Sequence, residues 1–582
     1  MNELENRIVD STKDGTFLDV LYEEYRKHIG DDDELIRTLV ELHNQEKINI
    51  LSEFSVLNND SSSSSFFKMH NILRKSLPLL NAPIDKIKNF IKQRALSAKN
   101  NMASYDLIIQ FIEFCSKDIN RANDLLEQEL LVIDVDFDHV STALISGYNI
   151  DRATYFDKSI DLLKHKNLIV IQRTISALSR FDYTEEPRLA TTATKEIITC
   201  TRTIKDEQIL STTINTLITL LADYKELEPD VIEFIEHNIG NNNPEFIFRI
   251  AQQLNYRHNS LSEKIQKLLF NFFKNLDAKN IGIIEEVDWY IYKKISDTDA
   301  IAIAKLFEYL LDNNDELFQV EILNHSLQRI QEEEYEEMLS VIFTKWLLKR
   351  EIIYCISAVK LVKTTTTHQI KIGFDKEQVK KEDLIYLVNK SIGWFSLQPS
   401  TSLSLILSVI PLCTESQIQL IENKTFEFIA LNYPSQTKAF LQKHSDSSDK
   451  NIVNFSDNLI QQLEIFLEEF NKLYEIKELR PSTRQRNEYA NYQQKLFSEA
   501  MAKPIENSIM GMFFPNKKIT LYGNKFIHKH KDSNGATVRQ VMPFSKMSHS
   551  IDFPSLANLT PHTQEYFLRL LKVEELANET NS

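Results

Sequence analysis

The chain has 582 residues, with 83 acidic and 67 basic side chains, a formal net charge of -16, and only ten glycines and fourteen prolines. That length is long for one compact core and asks for several domains or a repeat array. The ordinary apolar content excludes a disordered chain, the acidic balance argues against a uniform nucleic-acid coat, and a β-rich or phosphate-loop protein needs more turn residues.

The first residues, MNELENRIVDSTKDG, contain no apolar stretch of the kind that heads a secretory signal. No uncharged apolar run approaches the roughly 20 residues that span a bilayer. Cys115, Cys200, Cys355 and Cys413 are scattered through apolar helical runs and form no CxxC pair. They read as buried reduced thiols, and a cytoplasmic protein without membrane contact is the expectation.

Residues 1–100 read as an N-terminal helical region. LDVLYEEYRKHI and ELIRTLVELHNQEKINILSEF are amphipathic, the Ser61–Ser65 run is a low-complexity loop, and FFKMHNILRKSLPLL and DKIKNFIKQRALSAK follow. The last of these is basic (Lys86, Lys88, Lys92, Arg94, Lys99) and reads as a solvated face.

From residue 101 to 445 one unit recurs. Ile171, Ile175 and Leu178 fall at helical spacing, and the figure returns as Leu210, Ile214 and Leu217 and as Ile247, Ala251 and Leu254. A further copy is read at Ile352, Ile356 and Val359. Leu107, Phe111 and Phe114 open the series, and Val140, Leu144, Val287, Ile291, Val320, Leu323 and Leu327 fill it. Successive copies lie about 30 to 40 residues apart, the range of two-helix repeats. Pro187, Pro229 and Pro244 stand where helices begin, with Asn243 as an N-cap.

This pattern resembles the HEAT and armadillo class of α-solenoids over roughly residues 100–445. The resemblance implies stacked helix pairs sharing one continuous core, with a surface that holds a partner. Trp289, Trp346 and Trp394 read as core at helical spacing. DVDFDHV spaces its acids like a calcium loop but has His139 and Ile145 where glycine and glutamate belong, so it reads as an acidic inter-helix loop. The array fades after KLVKTTTTHQIKIGF, where HQIKIGF is a loop or short strand. Four helices resume before HSDSSDKNIVNFSD, a linker that leads within 446–479 into the long helix NLIQQLEIFLEEFNKLYEI.

Residues 480–582 change character. Twelve basic side chains oppose four acidic ones between Arg480 and Lys546, a local charge of +8. RPSTRQRNEYANYQQKLFSEAMAKPI reads as helix, while KKITLYG, KFIHKHK and ATVRQVMPF read as a small β-meander. The fold class expected is therefore all-α, a HEAT/armadillo-like helical-repeat solenoid with a small β-containing C-terminal segment.

Three uses of the basic segment compete. It is a surface that docks on protein, or Lys517, Lys518, Lys525, Lys529, Lys531 and Arg539 contact DNA or RNA phosphates beside Tyr522, Phe526 and Phe544. In the third, His528 and His530 share one strand face as a metal pair, with His549, His562 or Asp552 to complete it, although no established ligand spacing supports this. No phosphate loop, dinucleotide turn, nucleophile elbow or HExxH helix occurs. The leading reading is a scaffold or adaptor that binds a protein partner in a multi-component cytoplasmic assembly, with no cofactor and no catalytic residue. A nucleic-acid-binding subunit is the alternative, and an enzyme with an unrecognised site is third.

Overall fold

The computed structural model describes residues 3–27, 33–57, 64–97, 106–314, 318–349, 351–362, 370–373 and 383–473, short pieces between 482 and 491, strand backbones between 521 and 543, and the helix 561–573. Outside one small sheet the regular structure described is helical. No described helix is long and apolar enough to cross a membrane. The chain divides into two compact units, Met1–Ile342 and Phe343–Ser582.

The N-terminal unit opens with α1 (Glu3–Lys13), α2 (Phe17–Lys27), α3 (Asp33–Asn44), α4 (Ile50–Ser55), α5 (Ser64–Ser76) and α6 (Ile84–Ser97). The sequence predicts one helix where α3 and α4 stand. The break has local causes: Glu46 takes a positive φ of 57°, and the Asn49 side chain caps α4 by accepting from the Ser52 amide at 3.3 Å. Asn44 meanwhile bonds outward, donating to the Leu79 carbonyl and accepting from the Asn81 amide.

The face of α6 expected to be solvated is instead partly buried. Lys88 Nζ lies 2.5 Å from the fully buried Glu129 carboxylate, Lys92 lies 2.6 Å from Asp134, and the buried Arg94 donates to the Leu57 carbonyl. Lysine spacing along a helix does not reveal carboxylates that arrive from a later one.

Next come α7 (Asp106–Cys115), α8 (Ile119–Leu131), α9 (His139–Tyr148), α10 (Arg152–Leu162), α11 (Leu168–Leu178), α12 (Pro187–Thr201) and α13 (Glu207–Asp223). They are followed by α14 (Glu228–His237), α15 (Pro244–Arg257), α16 (Glu263–Phe270), α17 (Ile281–Asp297), α18 (Ala300–Asn313) and α19 (Asn324–Ile330). Their packing is periodic. Each odd-numbered helix from α7 to α19 packs on the next odd one, and the even-numbered helices lie beside them as a second row. Helix α9 is buried along its whole length.

The apolar triplets explain the stacking. Ile171, Ile175 and Leu178, Ile214 and Leu217, and Ile247, Ala251 and Leu254 are all buried between neighbouring helices. Each large aliphatic side chain so placed contributes roughly 2 kcal/mol of transfer free energy, more than propensity supplies. Acids and amides punctuate the rows. Asp118, Asp138, Asp151, Asn167, Asp206, Asn243 and Asp299 each cap the helix that follows by accepting a backbone N–H. Pro187, Pro229 and Pro244 occupy first turns.

DVDFDHV is the acidic connection from α8 to α9. Burial alone would raise the Asp134 carboxyl, but the hydrogen bond from Lys92 and the Asp136 amide bring it below the usual range. Burial lowers the His139 imidazole to about 4, so it stays neutral in the core.

The C-terminal unit contains the end of α20 (Glu336–Leu348), then α21 (Ile352–Val362), α22 (Asp383–Phe395), α23 (Pro399–Val409), α24 (Glu415–Thr425), α25 (Pro434–Gln442) and α26 (Lys450–Asn471). A π-helical turn, Phe426–Ala430, follows α24 directly. Residues 370–373 form no strand; Ile370 and Ile372 are buried there, and the Ile372 amide donates to Ser408 Oγ.

Two expectations are corrected in this unit. In α21 the residues taken as the buried face, Ile352, Ile356 and Val359, lie on the outer side, with Ile352 and Ile356 exposed. Tyr354, Cys355, Ala358 and Leu361 carry the core, because IIYCISAVKLV is apolar nearly all round and its period selects no face. Helix α26 begins at Lys450, inside the stretch predicted as linker, where Asp449 caps it and Phe455 and Leu459 are buried.

The backbone of residues 521–543 pairs as an antiparallel sheet of β1 (Leu521–Tyr522), β2 (Lys525–Lys531) and β3 (Thr537–Pro543), in the order β1-β2-β3. The final helix is α27 (Pro561–Val573).

Candidate functional site

The basic residues singled out from the sequence divide into two groups. Lys517 and Lys518 lie outside the described residues, as do Phe544, His549 and Asp552. Lys525, Lys529 and Lys531 fall on β2 and Arg539 on β3, where only the backbone is described; Lys529 and Arg539 are register partners. Alternation therefore assigns all four cations to one face of the sheet, and His528 and His530 to the other. His562 is exposed on α27. Among the described residues no group of three or more His, Cys, Asp or Glu is placed to hold a metal.

A different surface is fully built. On the odd-numbered row, α15, α17 and α19 present aromatic rings. Trp289 is 38% exposed although its helical spacing suggested core, and Tyr256 is 68% exposed. The Trp289 indole stacks on the His325 imidazole with centroids 4.3 Å apart and planes 22° apart, and its edge meets Tyr292 at 5.2 Å.

Cations lock these rings. The Arg329 guanidinium lies 5.4 Å from the Tyr292 centroid and 4.9 Å from that of Tyr335, and donates to the Tyr335 hydroxyl at 2.8 Å. Its charge is met by Glu332 and Glu334. Lys293 sits 5.4 Å over Tyr256 and donates to both oxygens of Asn255, whose amide donates to Glu286. Such contacts are each worth about 0.5–1 kcal/mol at an exposed site, and together they hold large rings in fixed orientations.

Asp288, beside Trp289, sets the position of α19. It is 2% exposed, and its carboxylate accepts the His325 amide at 2.7 Å, the Ser326 amide at 2.8 Å and the Ser326 hydroxyl at 2.5 Å. Burial raises the carboxyl above its usual range, and the hydrogen bonds from Ser326 and His325 offset only part of that rise. One helix thus supplies the N-terminal cap of its row neighbour and fixes His325 against the indole.

The chemistry this surface offers is recognition. Planar apolar faces with orienting cations and amides are the residue types that dominate binding hot spots. An aspartate inside the apolar stripe of α17, next to a tryptophan, is the sequence signal that marks this place. A cleft of about 320 Å³ also lies between α12 and α14, where Arg202 and Glu233 pair across it.

No family model matches the chain, and no curated protein matches it either. Among solved structures, it is similar to a chain from work on a phosphorylation switch in the interaction between cadherin and β-catenin, at 11% identity, over 79% of this chain and all of that one, with a TM-score of 0.17. It is also similar to a chain of the SYS-1/POP-1 complex, at 12% identity, over 79% of this chain and 80% of that one, with a TM-score of 0.19. At TM-scores of this size neither likeness bears on fold or partner.

Proposed function

We propose that the chain is a helical scaffold of the HEAT/armadillo kind, without catalysis of its own, that holds a protein partner on the aromatic face of α15, α17 and α19. The observation that supports it is the exposed Trp289, stacked on His325 and meeting Tyr292, whose ring lies under Arg329. Fixed rings lose little entropy when a partner's apolar side chain inserts between them. Two-helix repeats supply a rigid row from which to display them.

Selection of peptides from a displayed random library against the full chain tests this. Enriched peptides are expected to share an aromatic or aliphatic anchor, and Trp289→Ala to weaken them by about 30-fold, the equivalent of a hot-spot loss of about 2 kcal/mol. Tyr256→Ala, at a site with no core role, should cost less. Peptides that bind the wild type and Trp289→Ala equally well would remove this face from the reading.

A second reading rests on the sheet register, which groups Lys525, Lys529, Lys531 and Arg539 on one face within the basic segment. In it, that face contacts nucleic-acid phosphates. Full-length protein titrated with duplex DNA across a salt series should then show a slope of log affinity against log salt that falls by about 3 to 4 when all four become alanine. An unchanged slope, or no binding at low salt, would leave the segment as a protein-docking surface.

A further inference from the structure

Within the C-terminal unit, α27 lies against α22 although the two are far apart in sequence. The approach is close at Gly393, where a Cβ would sit 3.0 Å from the Lys572 amide nitrogen and 3.1 Å from the Leu571 carbonyl carbon. One turn earlier on α22, Lys390 is 4% exposed and its Nζ donates to the Lys572 carbonyl at 2.5 Å. The carbonyls of a last helical turn have no partner within their helix and carry partial negative charge. A buried ammonium aimed at one of them is therefore a receptor for a helix C-terminus. The Lys572 ammonium lies 5.1 Å over Trp394, and Phe567 meets Phe428 edge to face.

We propose that the face of α22 bearing Lys390, Gly393 and Trp394 is a binding site for the C-terminal turn of an amphipathic helix, occupied in cis by the chain's own α27 and open to a helix of the same pattern from another polypeptide. Three features of α27 define that pattern: a bulky aromatic at the position of Phe567, a leucine one turn later at Leu571, and a free last-turn carbonyl beside a basic residue. The seated helix is itself only lightly held. Tyr566, Leu570 and Val573 remain 60%, 44% and 55% exposed, so much of its apolar surface gains nothing from the contact. Such an element opens at a lower free energy than the core it rests on.

Hydrogen exchange on the full chain tests the docking, and a synthetic peptide of residues 559–576 tests the site. Amides of 565–573 are expected to exchange at least tenfold faster than those of α22 and α23. Gly393→Ala should speed them at least tenfold more while α22 keeps its protection, because alanine favours α22 as a helix and obstructs only the approach of α27. Lys390→Met should act in the same direction without a new Cβ. In a full chain carrying Phe567→Asp and Leu571→Asp, which expels its own helix, the labelled peptide should bind, and adding Gly393→Ala should abolish that binding. Exchange of α27 at the rate of α22, or a peptide that binds neither the opened chain nor any variant, would overturn the proposal, as would unchanged α27 protection in both Gly393→Ala and Lys390→Met.

Discussion

Gly147→Ala is expected to destabilise the N-terminal unit by about 3 kcal/mol or more, the upper range for overpacking a core. Gly147 sits in α9, and a Cβ placed there would lie 2.0 Å and 2.1 Å from ring carbons of Tyr155 on α10. Ordinary contact is well over 3 Å, so the ring must leave or α10 must move. Neither is cheap. Tyr155 is 1% exposed, its hydroxyl donates to Asn123 Oδ1 at 2.8 Å, and Lys158 lies over the ring at 4.5 Å. Chemical denaturation followed by hydrogen exchange in α9 to α11 checks this. Shortening the obstacle should give part of the loss back, so Gly147→Ala with Tyr155→Leu is expected to be more stable than Gly147→Ala alone. A wild-type unfolding midpoint for the single variant would mean that α10 yields without cost.

That glycine shows what kind of information the sequence holds. In VSTALISGY the apolar period marks a helix, and a glycine within it, in a chain with so few, marks a close approach. It does not say what approaches, because Tyr155 lies on the next helix. The same division recurs along the array. Ile171, Ile175 and Leu178 are legible as core because polar residues alternate with them, whereas α21 offers no polar face from which its phase can be read. Asn243 and the three prolines mark helix starts from local geometry alone. Lys88 and Lys92 look solvated because Glu129 and Asp134, which bind them, arrive from a different helix and loop.

The candidate site was hidden for a related reason. Trp289 reads as core only as a large apolar side chain within a helical run; it stands two positions from both Val287 and Ile291, on the other side of α17, and His325 arriving from α19 holds the indole on that outer face. Its cations, Lys293 (beside Lys294) and Arg329, stand in acidic stretches with no local excess to draw attention, unlike the +8 of residues 480–546. Composition finds clusters of like charge and overlooks a cation paired to a ring. The contact between α22 and α27 is further out of reach, since Lys390 and Lys572 are separated by 182 positions. No periodicity links them.

Asp288→Ala is expected to cost about 3 kcal/mol and, with it, the binding attributed to the aromatic face. The carboxylate is the sole acceptor shown for the His325 and Ser326 amides at the start of α19, and it also takes the Ser326 hydroxyl. Alanine leaves those donors in a buried place with nothing to bond, and an unsatisfied buried group costs about 1–3 kcal/mol. Asp288→Asn separates the charge from the geometry. Asparagine keeps one oxygen of the same shape, and burial already disfavours the ionised form by more than the hydrogen bonds from Ser326 and His325 offset. The amide should therefore cost less, about 1 kcal/mol, and retain part of the cap. Exchange rates of the His325 and Ser326 amides give the order wild type, Asn, Ala from slowest to fastest. If α19 positions His325 against the indole, peptide affinity follows the same order, with Asp288→Ala approaching Trp289→Ala. Affinity that survives in Asp288→Ala while the two amides exchange freely would separate the cap from the binding face, and would make Trp289 sufficient without its stacked partner.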